Sequence, residues 1–275
     1  TIVGLGLIGG SLGMAIRRKQ LAHEVVGVSR RAATIGQAKR RGAIDRGTTS
    51  LEDGAREADV VVLATPVDLI VPLAKRAARA MRHGAIATDV GSTKGAIVRT
   101  LEGRLPNGVA FVGAHPLAGS EQRGLAAARP DLFDSSLCVI TATRRTPRRA
   151  LRMIRKLWQP LARRILVMDP SAHDRLLAAV SHVPHLVAFS LVNAATPREL
   201  RMVPPSFLDA TRVAKSDPDL WDDILLGNHA EILRAMARFE ASWRALRTTL
   251  ALRDRRALAR LLRRANTRRR SLNAR

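Results

Sequence analysis

The 275-residue chain has no tyrosine, a single cysteine and only 3% aromatic residues. One cysteine, Cys138, excludes an internal disulfide framework, and its place in the run Leu137-Cys138-Val139-Ile140-Thr141 reads as a buried strand residue. Scarce aromatics leave little material for the base-stacking platforms of single-strand nucleic-acid binders. No run approaches the roughly 20 uninterrupted apolar residues of a membrane span. The longest apolar stretch, 176–192, is broken by Ser181, His182, Pro184 and His185, so no membrane partner is expected. No signal-peptide pattern opens the chain, which makes a cytoplasmic location the expectation. Acidic residues are also few, 23 against 47 basic ones, for a net charge of +24. Six of the basic residues are lysine and 41 are arginine. Such a field favours anionic ligands. Apart from the tail beginning at Arg263, however, the arginines are dispersed through apolar-periodic segments, as on solvated helix faces. Charge alone does not make this a nucleic-acid protein.

What is present is a 46% hydrophobic chain, long enough for two domains or one large one. As far as about Thr143, short apolar runs (TIVGLG, EVVGVS, DVVVLATP, GAIATDVGS, VAFVGAHP, LCVITAT) alternate with helical patterns. Strands without polar alternation, separated by helices, predict a mostly parallel sheet covered on both faces. The first strand is short at its front, which predicts native residues ahead of Thr1. Beyond Arg144 the pattern turns helical, with one further extended stretch, RRILVMDP. The expected division is an α/β half of Rossmann type over 1–145 and an all-helical half over 146–275. Long helices with apolar stripes must bury them on one another or on a second subunit, which predicts a homodimer.

The loop Gly4-Leu5-Gly6-Leu7-Ile8-Gly9 follows the first strand and enters a helix. In that context the first glycine serves the tight turn and the second the approach of a pyrophosphate. The third serves close helix–strand packing, and the helix N-terminus faces the phosphates. Leu7 and Ile8 belong to this cradle, and Thr65-Pro66, closing the run DVVVLATP, are grouped with it. The second strand ends in Ser29-Arg30-Arg31, where NAD-preferring sites usually carry an acid. A missing carboxylate removes repulsion against a 2′-phosphate, and a guanidinium binds phosphate in bidentate fashion. NADP is therefore favoured over NAD.

Further motifs lie where an open α/β sheet puts chemistry or in the helical half. They are Asp89-Val90-Gly91-Ser92-Thr93-Lys94, Gly113-Ala114-His115-Pro116-Leu117-Ala118-Gly119-Ser120-Glu121, Ser181-His182-Val183-Pro184-His185, and the run from Asp209 through Arg212 and Lys215 to Pro218. With the glycine loop, this ordered set resembles the prephenate/arogenate (cyclohexadienyl) dehydrogenases over nearly the whole chain. The resemblance implies oxidative decarboxylation of prephenate to 4-hydroxyphenylpyruvate, or of arogenate to tyrosine, with NAD(P). His115 matches the family's catalytic histidine, a base for the ring hydroxyl. Ser92 matches the serine beside it, with a helix-capping role as the alternative. Arg212 matches the arginine that binds a substrate carboxylate, and His185 the second active-site histidine. Ser120 and Glu121 match positions at the substrate side chain, which would put Glu121 near Arg212. His182 reads as a packed histidine, and Lys215 and Trp221 as supporting structure. The pair His182-x-x-His185 lacks the glutamate of H-E-x-x-H and any nearby cysteine, so no metal is expected. His23, His83, His173 and His229 have no constellation and default to surface or helix-end roles. Two other readings stay open: a β-hydroxyacid-type or imine-reducing dehydrogenase, and a non-catalytic nucleotide-sensing or nucleic-acid-binding protein.

Overall fold

A computed structural model describes residues 1–118 and 122–272. The first half runs β1 (Ile2–Val3), α1 (Leu7–Arg18), β2 (Val26–Val28), α2 (Ala32–Arg40), β3 (Arg46–Thr48), α3 (Leu51–Arg56), β4 (Val60–Leu63) and α4 (Val67–Ala80). It continues through β5 (Ile86–Asp89), α5 (Gly95–Leu101), β6 (Ala110–Pro116), β7 (Leu137–Thr141), α6 (Arg148–Trp158) and β8 (Arg164–Met168). The eight strands form one sheet in the order β3-β2-β1-β4-β5-β6-β7-β8, parallel throughout except between β6 and β7. Succession from β1 moves one way to β2 and β3, then restarts on the other side with β4. Ligands of open α/β sheets bind outside such a reversal point, at the carboxyl ends of the strands.

Two apolar layers cover the sheet, as its continuous Val/Ile/Leu runs require. One gathers Leu12, Ile16, Phe133, Ile140, Ile154 and Trp158, with Phe133 meeting Trp158 edge to face at 5.3 Å between ring centroids. The other gathers Ile70, Ala74, Ala77, Ile97, Leu101 and Phe111 from α4, α5 and β6.

The sheet continues past the expected division near residue 145. The α6 helix buries Ala150, Ile154 and Trp158 in the first of these layers, and β8 pairs with β7 from Leu137↔Arg164 to Thr141↔Met168. The pattern change at Arg144 therefore marks the start of the helical crossover through α6 from β7 to its parallel neighbour β8. From Asp169 onward every regular element among the described residues is helical: α7 (Pro170–Leu177), a π-helical turn (Ala178–His182), α8 (Val183–Ala194), α9 (Pro205–Thr211), α10 (Pro218–Gly227), α11 (His229–Ala251) and α12 (Arg255–Leu272). The Asp169 carboxylate caps α7 by accepting from the amides of Ser171 and Ala172.

Pro184 explains the π-helical turn. It has no N–H to give and its ring crowds the preceding turn, and the wider turn just ahead of it lets α7 run on into α8. The resulting helical stretch, Pro170–Ala194, is long and apolar enough to cross a membrane by length and composition, with a mean hydropathy of 1.5. It nevertheless carries the polar residues His173, Asp174, His182 and His185.

Candidate active site

The glycine loop meets the geometric needs of a phosphate cradle. Gly4 has φ +95°, and a Cβ built there would lie 2.4 Å from the Ala64 carbonyl oxygen. A Cβ on Gly9 would lie 1.9 Å from the Gly4 carbonyl oxygen, so loop and helix touch backbone to backbone. Gly6 differs: a Cβ there would meet nothing within 4 Å. The open space beside Gly6 faces an α1 N-terminus with no side-chain cap and no acidic residue in its first turn. The amides of Leu7 and Ile8 belong to that turn, where helix geometry leaves N–H groups without intrahelical acceptors. Thr65 and Pro66 follow β4, with the Thr65 methyl 3.1 Å from the Cβ position of Gly4. Ser29 leaves β2 and accepts from the Arg31 amide at 3.4 Å, and Arg30 and Arg31 are exposed. These residues fit a dinucleotide pyrophosphate.

His115 sits near the end of β6, 8% exposed. Its Nδ1 lies 2.8 Å from His173 Nε2, and His173 Nδ1 lies 2.8 Å from Asp174 Oδ1. Asp174 also accepts from the amides of Lys94 (2.8 Å) and Gly95 (2.7 Å) at the start of α5. Asn228 closes the cluster, donating to the Asp174 carbonyl at 2.9 Å. Beside it, Lys94 and Asp89 form an ion pair with both side chains fully buried. Burial pushes the Asp89 carboxyl up, against the pull of Lys94 and the amides of Gly91 and Ala114.

Burial above all, with the Lys94 charge nearby, holds the His115 imidazole well below the usual histidine range. A neutral imidazole at physiological pH is the form that accepts a proton. Burial alone would raise the Asp174 carboxyl. The hydrogen bonds from the His173 ring and the two amides outweigh it and bring the carboxyl below its ordinary value.

The facing wall is helical. The π-helical turn and α8 present His182 and His185, and both pack on Trp221 of α10. His185 stacks on Trp221 with centroids 3.6 Å apart and planes at 23°, and His182 meets it edge-on at 5.9 Å. The Ser181 carbonyl, 2.9 Å from His185 Nδ1, accepts from it and leaves Nε2 as the ring nitrogen for a ligand. Burial, and then the nearby Arg212 charge, lower the His185 imidazole. His182 is buried, within 3.2 Å of the Asn228 side-chain amide, and burial takes it down to about 4. His115 thus feels His182, and His185 feels Arg212. The strand end and the helical wall bound one site.

Arg212 opens the short turn Arg212–Lys215 after α9. Ser120 and Glu121 lie outside the described residues; just beyond them, Arg123 pairs with Asp217, the cap of α10. Ser92 lies half-buried in the β5–α5 loop. With Asp89 opposite Gly113 in register, that loop and the strand end bearing His115 leave the sheet side by side. The capping alternative for Ser92 does not hold, because the amides at the start of α5 go to Asp174. His173 is a correction to the sequence reading: it is 0% exposed and in contact with His115, not at the surface. Asp174, Lys94, Asp89 and Asn228 were likewise passed over. The adjacent pair His173-Asp174 was the one available signal, and it has no motif of its own.

Comparison with known proteins adds a family. Residues 12–167 match "Prephenate dehydrogenase, nucleotide-binding domain" and residues 169–264 match "Prephenate dehydrogenase, dimerization domain". The join between the two matches falls where β8 ends. The chain is 35% identical to a cyclohexadienyl dehydrogenase of Zymomonas mobilis over 92% of this chain and 88% of that one. It is 36% identical to a prephenate dehydrogenase of Bacillus subtilis over 84% of this chain, a match that spans 64% of that relative's length. Among solved structures, an Aquifex aeolicus prephenate dehydrogenase in complex with hydroxyphenyl propionate and NAD+ superposes with a TM-score of 0.91 at 33% identity, covering 98% of this chain and 96% of that one. A Synechocystis arogenate dehydrogenase superposes at 0.84 with 29% identity, covering 98% of both chains.

Two outcomes follow from this geometry. Gly6→Ala should fold with an unchanged melting temperature yet bind dinucleotide more weakly in a calorimetric titration. Gly9→Ala should lose about 1–3 kcal/mol of stability to overpacking. The second outcome concerns acid. Unfolded histidines titrate near 6.5, whereas folded His182 titrates at about 4 and His115 well below its usual range. Between those values the unfolded chain binds protons that the folded one does not, so stability is full above the unfolded value and falls as pH drops through the window. Urea midpoints should therefore decline from about pH 7 to pH 5, above the ordinary carboxylate range, and decline less in His182→Gln.

Proposed function

The chain belongs to the prephenate dehydrogenase family, a family of oxidoreductases, and from that footing we propose that it oxidises and decarboxylates prephenate, arogenate or both. The observation that carries the proposal is the buried His115 at the end of β6, its Nδ1 on His173 and its cluster joined through Asp174 and Asn228 to His182 of the helical half. Relatives named for prephenate, arogenate and cyclohexadienyl substrates support the same substrate class.

His115 accepts the ring hydroxyl proton through Nε2 as hydride leaves the carbinol carbon. A nicotinamide dinucleotide, its pyrophosphate held by the Gly4–Gly9 loop, would supply the hydride acceptor. The bond to the ring carboxylate breaks, its electron pair enters the ring, carbon dioxide departs, and the proton returns to the phenolic oxygen. Arg212 holds a substrate carboxylate, His185 offers Nε2 to the same ligand, and Ser92 orients the base and its partner. Ser120 and Glu121 serve the substrate side chain. Aromatisation drives the step, so the protein's task is to orient the ring and manage one proton. NADP is the favoured cofactor. β2 is followed by Ser29 in place of a carboxylate, and Arg30 and Arg31 stand exposed beside it to meet a 2′-phosphate.

The active species in this reading is a homodimer. The family match names a dimerisation domain, and that half leaves Leu226, Leu233, Trp243 and Leu250 each more than half exposed in the single chain. Val180, on the π-helical turn, is 70% exposed and extends the apolar surface along Pro170–Ala194.

Prephenate and arogenate, each assayed with NAD and NADP, should yield reduced nicotinamide in at least one of the four combinations, with NADP faster. Silence in all four would sink the proposal. His115→Asn should lower kcat by roughly 10²–10⁴-fold with little change in KM. Arg212→Ala should cost about 1.5–3 kcal/mol of substrate binding, read as KM, and spare cofactor affinity. Light scattering should give twice the chain mass, reduced to one chain in Trp243→Asp.

A further inference from the structure

The chain Asp174–His173–His115 has a direction. A carboxylate accepts hydrogen bonds and donates none, and Asp174 already takes the amides of Lys94 and Gly95. The ring nitrogen 2.8 Å from it, His173 Nδ1, must therefore be the donor. A neutral imidazole with its proton on Nδ1 carries its lone pair on Nε2, and His173 Nε2 is the atom that meets His115 Nδ1 at 2.8 Å. His115 must then donate from Nδ1, which leaves the lone pair of His115 on Nε2. Reversing either proton sets two donors or two acceptors against each other inside a buried cluster.

We propose that His173 and Asp174 are positioning residues that hold His115 in the Nδ1–H tautomer and so keep Nε2 open as the proton acceptor. Both act through His115. Asp174 does more than orient a ring: its two amide bonds fix the start of α5, directly after the loop that carries Ser92. Its carbonyl is held by Asn228, between α10 and α11. One carboxylate thus sets the tautomer of the base and ties the sheet end to the helical half. This inference rests on the reading of His115 as the base, but its test does not require turnover.

The test uses the full chain labelled with ¹⁵N-histidine and two-bond ¹H–¹⁵N correlation at about pH 8, above the ordinary imidazole range. The seven histidines are sorted by difference against His115→Asn. The expected spectrum has His115 protonated on Nδ1 and bare on Nε2. In His173→Phe the His115 signal shifts towards the Nε2–H form, and kcat falls by roughly 10²-fold or more, as for a base in the wrong tautomer, with KM within a few-fold. His173→Gln supplies an amide oxygen for His115 and an N–H for Asp174, and recovers both the Nδ1–H tautomer and most of kcat. An Nε2–H tautomer in the unmodified protein overturns the proposal. So does a His173→Gln variant as impaired as His173→Phe. If His173→Phe fails to fold, the unmodified spectrum and the His173→Gln variant still decide.

Discussion

A buried carboxylate that accepts from three donors holds the site together. Asp174 takes two amides from α5 and the ring N–H of His173, and its own carbonyl is held by Asn228. Burying a carboxylate is costly unless its lone pairs are satisfied, and here they are satisfied by groups from opposite sides of the molecule. The α7 helix carries both His173 and Asp174, so it cannot slide over the sheet without breaking the two α5 amide bonds and the His173–His115 contact. The end of β6, the β5–α5 loop and the helical wall are thereby held to a common geometry, with His115 at their meeting point. Good positioning of this kind is what a reaction driven by aromatisation asks of its protein.

Electrostatics supports the same arrangement. The net charge of +24 favours anionic substrates at long range. Close to the base, burial, with the Lys94 charge beside it, pushes the His115 imidazole towards its neutral form. The wall presents cationic Arg212 beside a depressed His185. In the proposed reaction carboxylate binding and proton acceptance fall to separate groups, which spares the base from being tied up in a salt bridge. The Lys94–Asp89 pair carries its own charge balance in a fully buried place.

The most legible parts of the sequence were those whose meaning is local. Gly4, Gly6 and Gly9 state their backbone requirements within one turn; the geometry gives Gly4 and Gly9 a steric reason for lacking a side chain, while Gly6 borders open space. The alternating runs announced a parallel sheet because strands buried on both faces must be apolar throughout. His115 and Arg212 stood out only through their motifs, and the burial that tunes His115 comes from elements distant in sequence. His173 and Asp174 were illegible for that reason. Their partners lie 58 and about 80 residues away, and no spacing within α7 distinguishes them from solvated helix residues. The division of the chain was misplaced for a related cause: β7 runs antiparallel to β6, and the return crossover through α6 to β8 resembles the start of a helical half.

The account turns on which ring nitrogen meets the reacting oxygen, and a crystal structure with oxidised dinucleotide and a phenolic acid in the pocket tests that most directly. The phenolic oxygen should lie within hydrogen-bond distance of His115 Nε2, with the carboxylate on Arg212 and His115 Nδ1 still on His173. A ligand oxygen held elsewhere, with His115 Nε2 turned into the protein, would contradict it.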